Sequence, residues 1–177
     1  IERAEIIREK GTNRSEFVRG EVQKYQWVDK GSSYLLAESL AAILQGSLEE
    51  FTKIQTSRQL IANTYTEKLS GWAKSSNFML QPQNKSEINS AHMFYLVSES
   101  QLDREVFIEY LGKEGIHTTF HYQSLVDSKQ GKVFKKTKTV SVNSQRMSSS
   151  LLRLPIYPSL SAGELGCILE SILSYHE

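Results

Sequence analysis

"REKGTNRSEFVRG", residues 8–20, runs directly into "EVQKYQWVDKGSSYL", residues 21–35, and the reading of this chain turns on that stretch. The first part carries four basic side chains (Arg8, Lys10, Arg14 and Arg19), two glycines, an asparagine and Phe17. Residues 12–34 show neither a helical nor a strand period. A connection of that length is uncommon inside a compact domain and is usually functional or disordered. Phe17, Val18, Val22, Tyr25 and Trp27 argue against disorder. The expectation is an ordered, extended arm packed on something. Its cations are either a solvated surface or a grip for an anion.

Upstream, "IERAEIIREKG" places Ile1, Ala4, Ile6 and Ile7 near one helical face and stops at Gly11, a common terminator. Downstream, Leu36, Leu40, Ile43, Leu44, Leu48 and Phe51 recur at spacings of three and four, and Ile54, Ile61, Tyr65 and Leu69 extend the stripe towards Gly71. This predicts an amphipathic helix over 36–70, with Gly46 as the place where it bends or breaks. A polar boundary with Pro82 follows at 71–90. "AHMFYLVS" reads as a strand, and "LDREVFIEYLGKEG" as a helix with Asp103 as cap, Val106, Phe107, Tyr110 and Leu111 inward and Gly115 at its end. "IHTTFHY" reads as a strand with Ile116, Thr118 and Phe120 on one side and His117, Thr119 and His121 on the other. "DSKQGKVFKKTKT" is a basic loop, read as a solvated surface. "VNSQRMSSSLLRLP" is a short helix ending before Pro155, and "LSAGELGCILESILSYH" an amphipathic helix with Ser161 and Glu164 at capping-box spacing.

A chain of 177 residues makes one domain or two small ones. With 39% hydrophobic and 23% charged residues and a net charge of +1, the composition is that of an ordinary soluble protein, and it argues against nucleic acid as a partner. The single cysteine, Cys167, excludes an intrachain disulfide and a cysteine-rich metal site, and its apolar helical setting predicts a buried thiol. No apolar run approaches the ~20 residues of a membrane span. No signal-peptide pattern is present. The expectation is a cytoplasmic protein without a membrane partner. The sequence opens on Ile1 within a helical pattern, so a piece of a longer polypeptide is expected.

Chemistry motifs are sparse. The sequence has no phosphate-binding loop, no dinucleotide fingerprint, no H-E-x-x-H and no G-x-S-x-G. His92, His117, His121 and His176 are not spaced as a metal set, and no metal is expected.

The order of four blocks says more. "AEIIREKGTNRSEFVRGEVQKYQWVD", with "GSSYL" after it, precedes "NSAHMFYL", "FHYQSL" and "LLRLPIYPSLS". Together they resemble the C-terminal half of the DegT/DnrJ/EryC1/StrS sugar aminotransferases over nearly the whole chain, least at 71–90 and 125–145. The resemblance implies an incomplete α/β fold-type I pyridoxal phosphate (PLP) enzyme, α+β in this C-terminal part. On that reading residues 1–70 are the end of the large domain, an interface arm and a long connecting helix. Residues 71–177 are a small C-terminal domain, a short sheet flanked by helices. It implies transfer of an amino group from glutamate to the 4-keto carbon of a nucleotide-linked 6-deoxy sugar, in a homodimer serving cell-surface polysaccharide synthesis. The cofactor is the electron sink, held as a Schiff base on a lysine. In the family that lysine precedes the helix corresponding to residues 1–10. No catalytic residue is therefore assigned to this chain, and alone it is expected to be inactive. The alternative is a non-catalytic relative that only dimerises or binds a nucleotide sugar.

Site residues follow from the same resemblance. The arm crosses the dimer interface in similar enzymes, which makes Arg14, Arg19 and Lys24 candidates for the anionic substrate and gives Tyr25 and Trp27 a wall to form. "GSSYL" corresponds to a family pattern reading Gly-x-Asn-Tyr-Arg, whose Asn meets the cofactor phosphate. Ser33 stands there, with one hydroxyl to donate, and Leu35 replaces the Arg. Ser33 is also readable as a helix N-cap. His92, His121 and Tyr122 match positions at the substrate-facing end of the small domain. The related pattern His-Tyr-x-Pro-Leu-His has Ser124 and Val126 here in place of Pro and the second His, which implies a looser loop.

Overall fold

The computed structural model describes residues 1–82, 89–134 and 141–175. The lysines at 135, 136 and 138 and His176 lie outside the described residues. The chain divides into two units, Ile1–Phe51 and Thr52–Glu177.

In the first unit, helix α1 (Glu2–Arg8) ends as its sequence requires: Gly11 takes φ +78° and donates its N–H to Ile6 O at 2.8 Å. The arm is not simply extended. It contains a five-residue helix, α2 (Arg14–Val18), and two antiparallel bridges, Glu9 to Ser33 and Thr12 to Trp27. Asn13 explains the fold-back. Its Oδ1 accepts Gln26 N–H at 2.8 Å and its Nδ2 donates to Glu16 Oε2 at 2.9 Å, so one buried amide ties both limbs. The limbs cross where only glycine fits: a Cβ on Gly11 would lie 1.8 Å from Asp29 O, and one on Gly31 2.1 Å from Gly11 N. Helix α3 (Glu38–Glu49) follows with no buried residue, so Leu40, Ile43, Leu44 and Leu48 are exposed. Its N-cap is Ala37, without a side-chain bond, which corrects the N-cap reading of Ser33.

The single helix expected over 36–70 is two. The break falls at Glu50, not at Gly46, which sits within α3. Helix α4 (Phe51–Ser75) buries only the later part of the stripe, including Ile61, Tyr65, Leu69 and Trp72. The second unit then adds β1 (Met79–Leu80), β2 (Phe94–Val97), α5 (Gln101–Lys113), β3 (Thr119–Phe120), α6 (Lys129–Phe134), α7 (Val142–Ser150), β4 (Leu151–Leu154) and α8 (Ala162–Leu173). The strands form one sheet in the order β1-β2-β4-β3, and every neighbouring pair is antiparallel. The β2-α5-β3 connection leaves a slot that β4 fills.

That central strand corrects the sequence reading most. "VNSQRMSSSLLRLP" does not stay helical to Pro155; Leu151–Leu154 leaves the helix and pairs on both edges. Leu151, Leu152 and Leu154 are buried. Leu151 is buried beside Leu152, so the strand opens on two apolar residues in succession and a period-two search misses it. At α5, Ser100 is the N-cap and Asp103 completes a capping box from N3, whereas Asp103 was expected to cap. Phe107 and Leu111 are buried as expected, but Val106 is exposed and Arg104 buried instead. The strand expected over 116–122 is two residues long, with Phe120 exposed. On α8 the Ser161–Glu164 capping box forms, but Cys167 is exposed. The helix buries Leu165, Ile168 and Ile172, and Cys167 precedes Ile168 by one position, about 100° around the helix.

One face of the sheet carries Phe94, Leu96, Leu152 and Leu154 into a core with Tyr65, Leu69, Trp72, Phe107 and Ile172. Aromatic rings bind it together: Phe107 lies 4.9 Å from Phe78, 5.6 Å from Trp72 and 4.7 Å from Tyr175, centroid to centroid. Helix α7 packs against α5 and against β3 and β4.

Candidate functional site

The expected site residues fall in both units, and each group is built by its own local structure. In the first unit the two arginines are already engaged. Arg14 Nη1 donates to Glu9 Oε1 at 2.7 Å. Arg19 forms a fork on Glu21, with Nε to Oε1 at 2.8 Å and Nη2 to Oε2 at 3.1 Å, while its Nη1 reaches Glu5 Oε2 at 2.9 Å. The hydrogen bonds they donate to these carboxylates raise both guanidinium pKa values, and Arg19 holds Glu21 below the usual carboxylate range. An anion arriving at either arginine must compete with a carboxylate. Lys24 differs: it is exposed and forms no ion pair among the described residues. Tyr25 packs on Phe17 with ring centroids 5.6 Å apart, and Trp27 lies largely in the open. Ser33 is held by its bridge to Glu9 and presents an exposed side chain.

In the second unit, the turn bearing His92 is fastened to α4: Gln55 Nε2 donates to Ser90 O at 3.0 Å and Gln59 Nε2 to Asn89 O at 3.2 Å. Asn89 Oδ1 accepts Ala91 N–H at 2.9 Å, holding Ala91 at φ +46°. Ser90 Oγ then meets His92 Nδ1 at 2.9 Å. His121 continues from β3, its ring 4.9 Å from that of Tyr122, whose side chain is exposed. Burial lowers the His121 pKa, and the charges of Arg153 and His92 lower it further. The structure thus brings His92 and His121 within electrostatic reach and keeps His121 neutral near neutral pH. Its Nδ1 is buried with no hydrogen-bond partner.

The loop after His121 is not loose at Ser124. Ser124 is buried, its N–H donates to Ser148 Oγ at 3.0 Å, and its Oγ accepts from Ser144 Oγ at 2.9 Å. Between this loop and α7 lies a cavity of about 640 Å³ whose walls include Arg104, Phe120, His121, Asp127 and Arg146. Arg104 was missed in the sequence. Its guanidinium donates to Ser148 O at 3.1 Å and sits 5.9 Å from the Phe120 ring centroid. No spacing rule marks a buried arginine on an otherwise apolar helical face. Among the described residues no three His, Cys, Asp or Glu side chains are grouped to hold a metal ion, and no helix is long and apolar enough to cross a membrane.

A helix-flanked antiparallel sheet preceded by a folded arm is the arrangement found in sugar aminotransferases. The DegT/DnrJ/EryC1/StrS aminotransferase family matches residues 1–173, and the chain belongs to it. It is 27% identical over 157 residues to the dTDP-3-amino-3,6-dideoxy-alpha-D-galactopyranose transaminase of Aneurinibacillus thermoaerophilus, covering 88% of this chain and 41% of that protein. Its fold matches S. venezuelae DesV with a TM-score of 0.81 at 21% identity, covering 99% of this chain and 44% of DesV. A Streptococcus pneumoniae protein described as a sugar aminotransferase, solved in PLP and PMP forms, matches with a TM-score of 0.77 at 19% identity, over 96% of this chain and 41% of its own. These likenesses establish the fold-type I architecture. The chain spans about two fifths of the length of each relative.

Proposed function

We propose that this chain is the C-terminal portion of a PLP-dependent nucleotide-sugar aminotransferase. The observation that carries the reading is the family match over residues 1–173. Residues 1–70 serve as the end of the large domain, the interface arm and the connecting helix, and residues 71–177 as the small domain. The Schiff-base lysine belongs to sequence outside these 177 residues. When bound, PLP supplies the electron sink for amino transfer.

The donors present in the first unit suit the edge of such a site. Ser33 offers an exposed hydroxyl on a bridged backbone, which fits one phosphate oxygen, and Lys24 offers a free ammonium for a substrate phosphate. Tyr25, steadied by Phe17, gives a flat wall for a base or sugar. Arg14 and Arg19 reach substrate by exchanging carboxylate partners. His92, His121 and Tyr122 present hydrogen-bonding groups to the sugar. A homodimer completes the site, in a cytoplasmic step of polysaccharide synthesis.

The substrate is a dTDP-keto-6-deoxy sugar aminated at carbon 4, with glutamate as donor. The sequence blocks resemble dTDP-4-amino-4,6-dideoxygalactose transaminase, whereas the A. thermoaerophilus relative is named for a 3-amino product.

The test treats the complete gene product and the 177-residue chain with PLP and then borohydride. Irreversible trapping in the complete product and not in the 177-residue chain is the expected result. Trapping in neither points to a relative that only dimerises or binds nucleotide sugar. Trapping on a lysine of the chain alone overturns the placement of the nucleophile. Supplying the trapped enzyme's untreated form with 3-keto and 4-keto substrates then fixes the position of the new amine.

A further inference from the structure

The face of the sheet away from the core carries a polar row. Strand register sets Tyr95 of β2, Arg153 of β4 and Thr119 of β3 opposite one another. Gln81 extends the row past β1, since its N–H donates to Tyr95 O at 3.2 Å. The flanking residues Leu80, Leu96, Leu152 and Leu154 point into or pack on the core, so alternation turns the row the other way. His121 lies two residues beyond Thr119 and continues the same side.

Three polar atoms in this group are buried without a hydrogen-bond partner: Arg153 Nε, Gln81 Oε1 and His121 Nδ1. Buried polar atoms are nearly always paired, so the Arg153 Nε–H donor calls for a missing acceptor, while Gln81 Oε1, itself an acceptor, does not. Arg153 makes no ion pair among the described residues, in contrast to Arg14, Arg19 and Arg104. It sits mid-strand between two paired neighbours, which fixes its backbone and the side of the sheet from which its side chain leaves.

We propose that Arg153, flanked by Tyr95 and His121, is an anion-binding residue that takes a carboxylate or phosphate group on the outer face of the sheet. A guanidinium fork matches two oxygens of either group, and charge-assisted bonds of this kind are roughly twice as strong as neutral ones. His121, kept neutral by burial and by Arg153 and His92, donates or accepts there without adding a second charge. The existence of the site stands on the sheet alone. Only the identity of its anion rests on the aminotransferase reading, which supplies two sources: the α-carboxylate of the amino donor and the phosphates of the nucleotide sugar.

The test titrates L-glutamate, its α-amide and inorganic phosphate separately into the complete gene product, following the His121 imidazole and Arg153 Nε–H resonances. A saturable shift with at least one anion, weakened about tenfold or more by Arg153→Gln, is expected, since one lost decade corresponds to ~1.4 kcal/mol, in the range of a charged hydrogen bond. Preference for glutamate over its α-amide and over phosphate assigns the amino donor's carboxylate. Preference for phosphate assigns the nucleotide sugar. No saturable shift with any of the three, or equal affinity in Arg153→Gln, overturns the proposal. Should Arg153→Gln lose its dispersed spectrum, Arg153→Lys decides: it keeps the charge and loses the fork, so unchanged affinity likewise overturns it. Failure of borohydride trapping with anion binding intact would remove the aminotransferase reading and leave this site standing.

Discussion

Residues 1–51 and residues 52–177 are held together by different physics. In the first unit only Gly11 and Asn13 are buried, and the ties are bridges, ion pairs and the Asn13 amide. In the second, a continuous cluster runs from Ile61 on α4 to Tyr175, with both sheet and helices contributing. Yet the two stretches carry the same apolar pattern. Leu40, Ile43, Leu44 and Leu48 repeat as regularly as Ile61, Tyr65, Leu69 and Trp72. The difference teaches that a hydrophobic period specifies a helix and the face it would bury, while burial needs a partner surface. In the second unit the sheet is that surface.

The largest effect that would break this comparison is a core truncation. Phe107→Ala removes a fully buried ring that contacts Trp72, Phe78 and Tyr175, and should cost ~3–5 kcal/mol in urea unfolding. Phe17→Ala, at a ring 43% exposed, should cost less than ~1 kcal/mol. Equal losses would mean that the first unit has a core of its own.

A polar substitution sharpens the contrast from the other side. Asn13→Ala strands the Gln26 N–H that Asn13 Oδ1 accepts and frees Glu16, at a cost of ~1–3 kcal/mol to local opening. Hydrogen exchange should show the loss at Gln26 and Phe17 while amides of β2 and β4 keep their protection. Loss of protection in both units together would show that they open as one.

The exposed stripe of α3 gives a smaller effect on stability and a larger one on association. Ile43→Ser with Leu48→Ser removes two side chains that are 67% and 56% exposed. The urea midpoint of the chain should move by less than ~0.5 kcal/mol equivalent, because no buried contact is lost. Binding of a hydrophobic dye and sedimentation above the monomer should both fall, since contiguous exposed apolar area drives association. A wild-type chain that already sediments as a monomer with low dye binding would show that the stripe is not a patch at all.

What could be read in the sequence follows the same division. Helices with caps and periods were legible: Ser161 and Glu164 set the start of α8, and Gly11 and Gly115 set the ends of α1 and α5. Strand β4 was not, because Leu151–Leu154 follows a helix without a breaker and three of its four residues are buried leucines, which hides the alternation. The Glu50 break was not, since no proline or glycine marks it, and the glycine that is present, Gly46, stays helical. Cys167 shows the limit of composition: an apolar neighbourhood in sequence placed it inside, and one step of helical phase placed it outside. Among the candidate site residues, His92 and His121 are proposed from the resemblance. Arg153 was not, because its position depends on β4, and only the register of three strands sets it beside Tyr95 and Thr119.

The smallest effect concerns pH and tests whether His121 is as enclosed as its unpartnered Nδ1 implies. Burial first, then the charges of Arg153 and His92, lower its pKa in the folded state, whereas the unfolded chain returns it to the ordinary value of about 6.5. Below that ordinary value the unfolded state binds the proton more readily than the folded one. Stability therefore falls as pH drops from about 6.5 towards the lower folded value, and flattens beneath it. Above about 7 the imidazole is neutral in both states and contributes no slope. His121→Asn removes the titration, so urea midpoints of wild type and variant should run parallel above neutrality and diverge below it, with the wild type losing more. His92, His117 and His176 remain in both proteins, and the difference between the two curves reports on His121. Curves that stay parallel down to pH 5 would mean that water and counter-ions reach the imidazole freely. The outer face of the sheet would then be as open as the first unit, and the contrast between the two units would stop at the core.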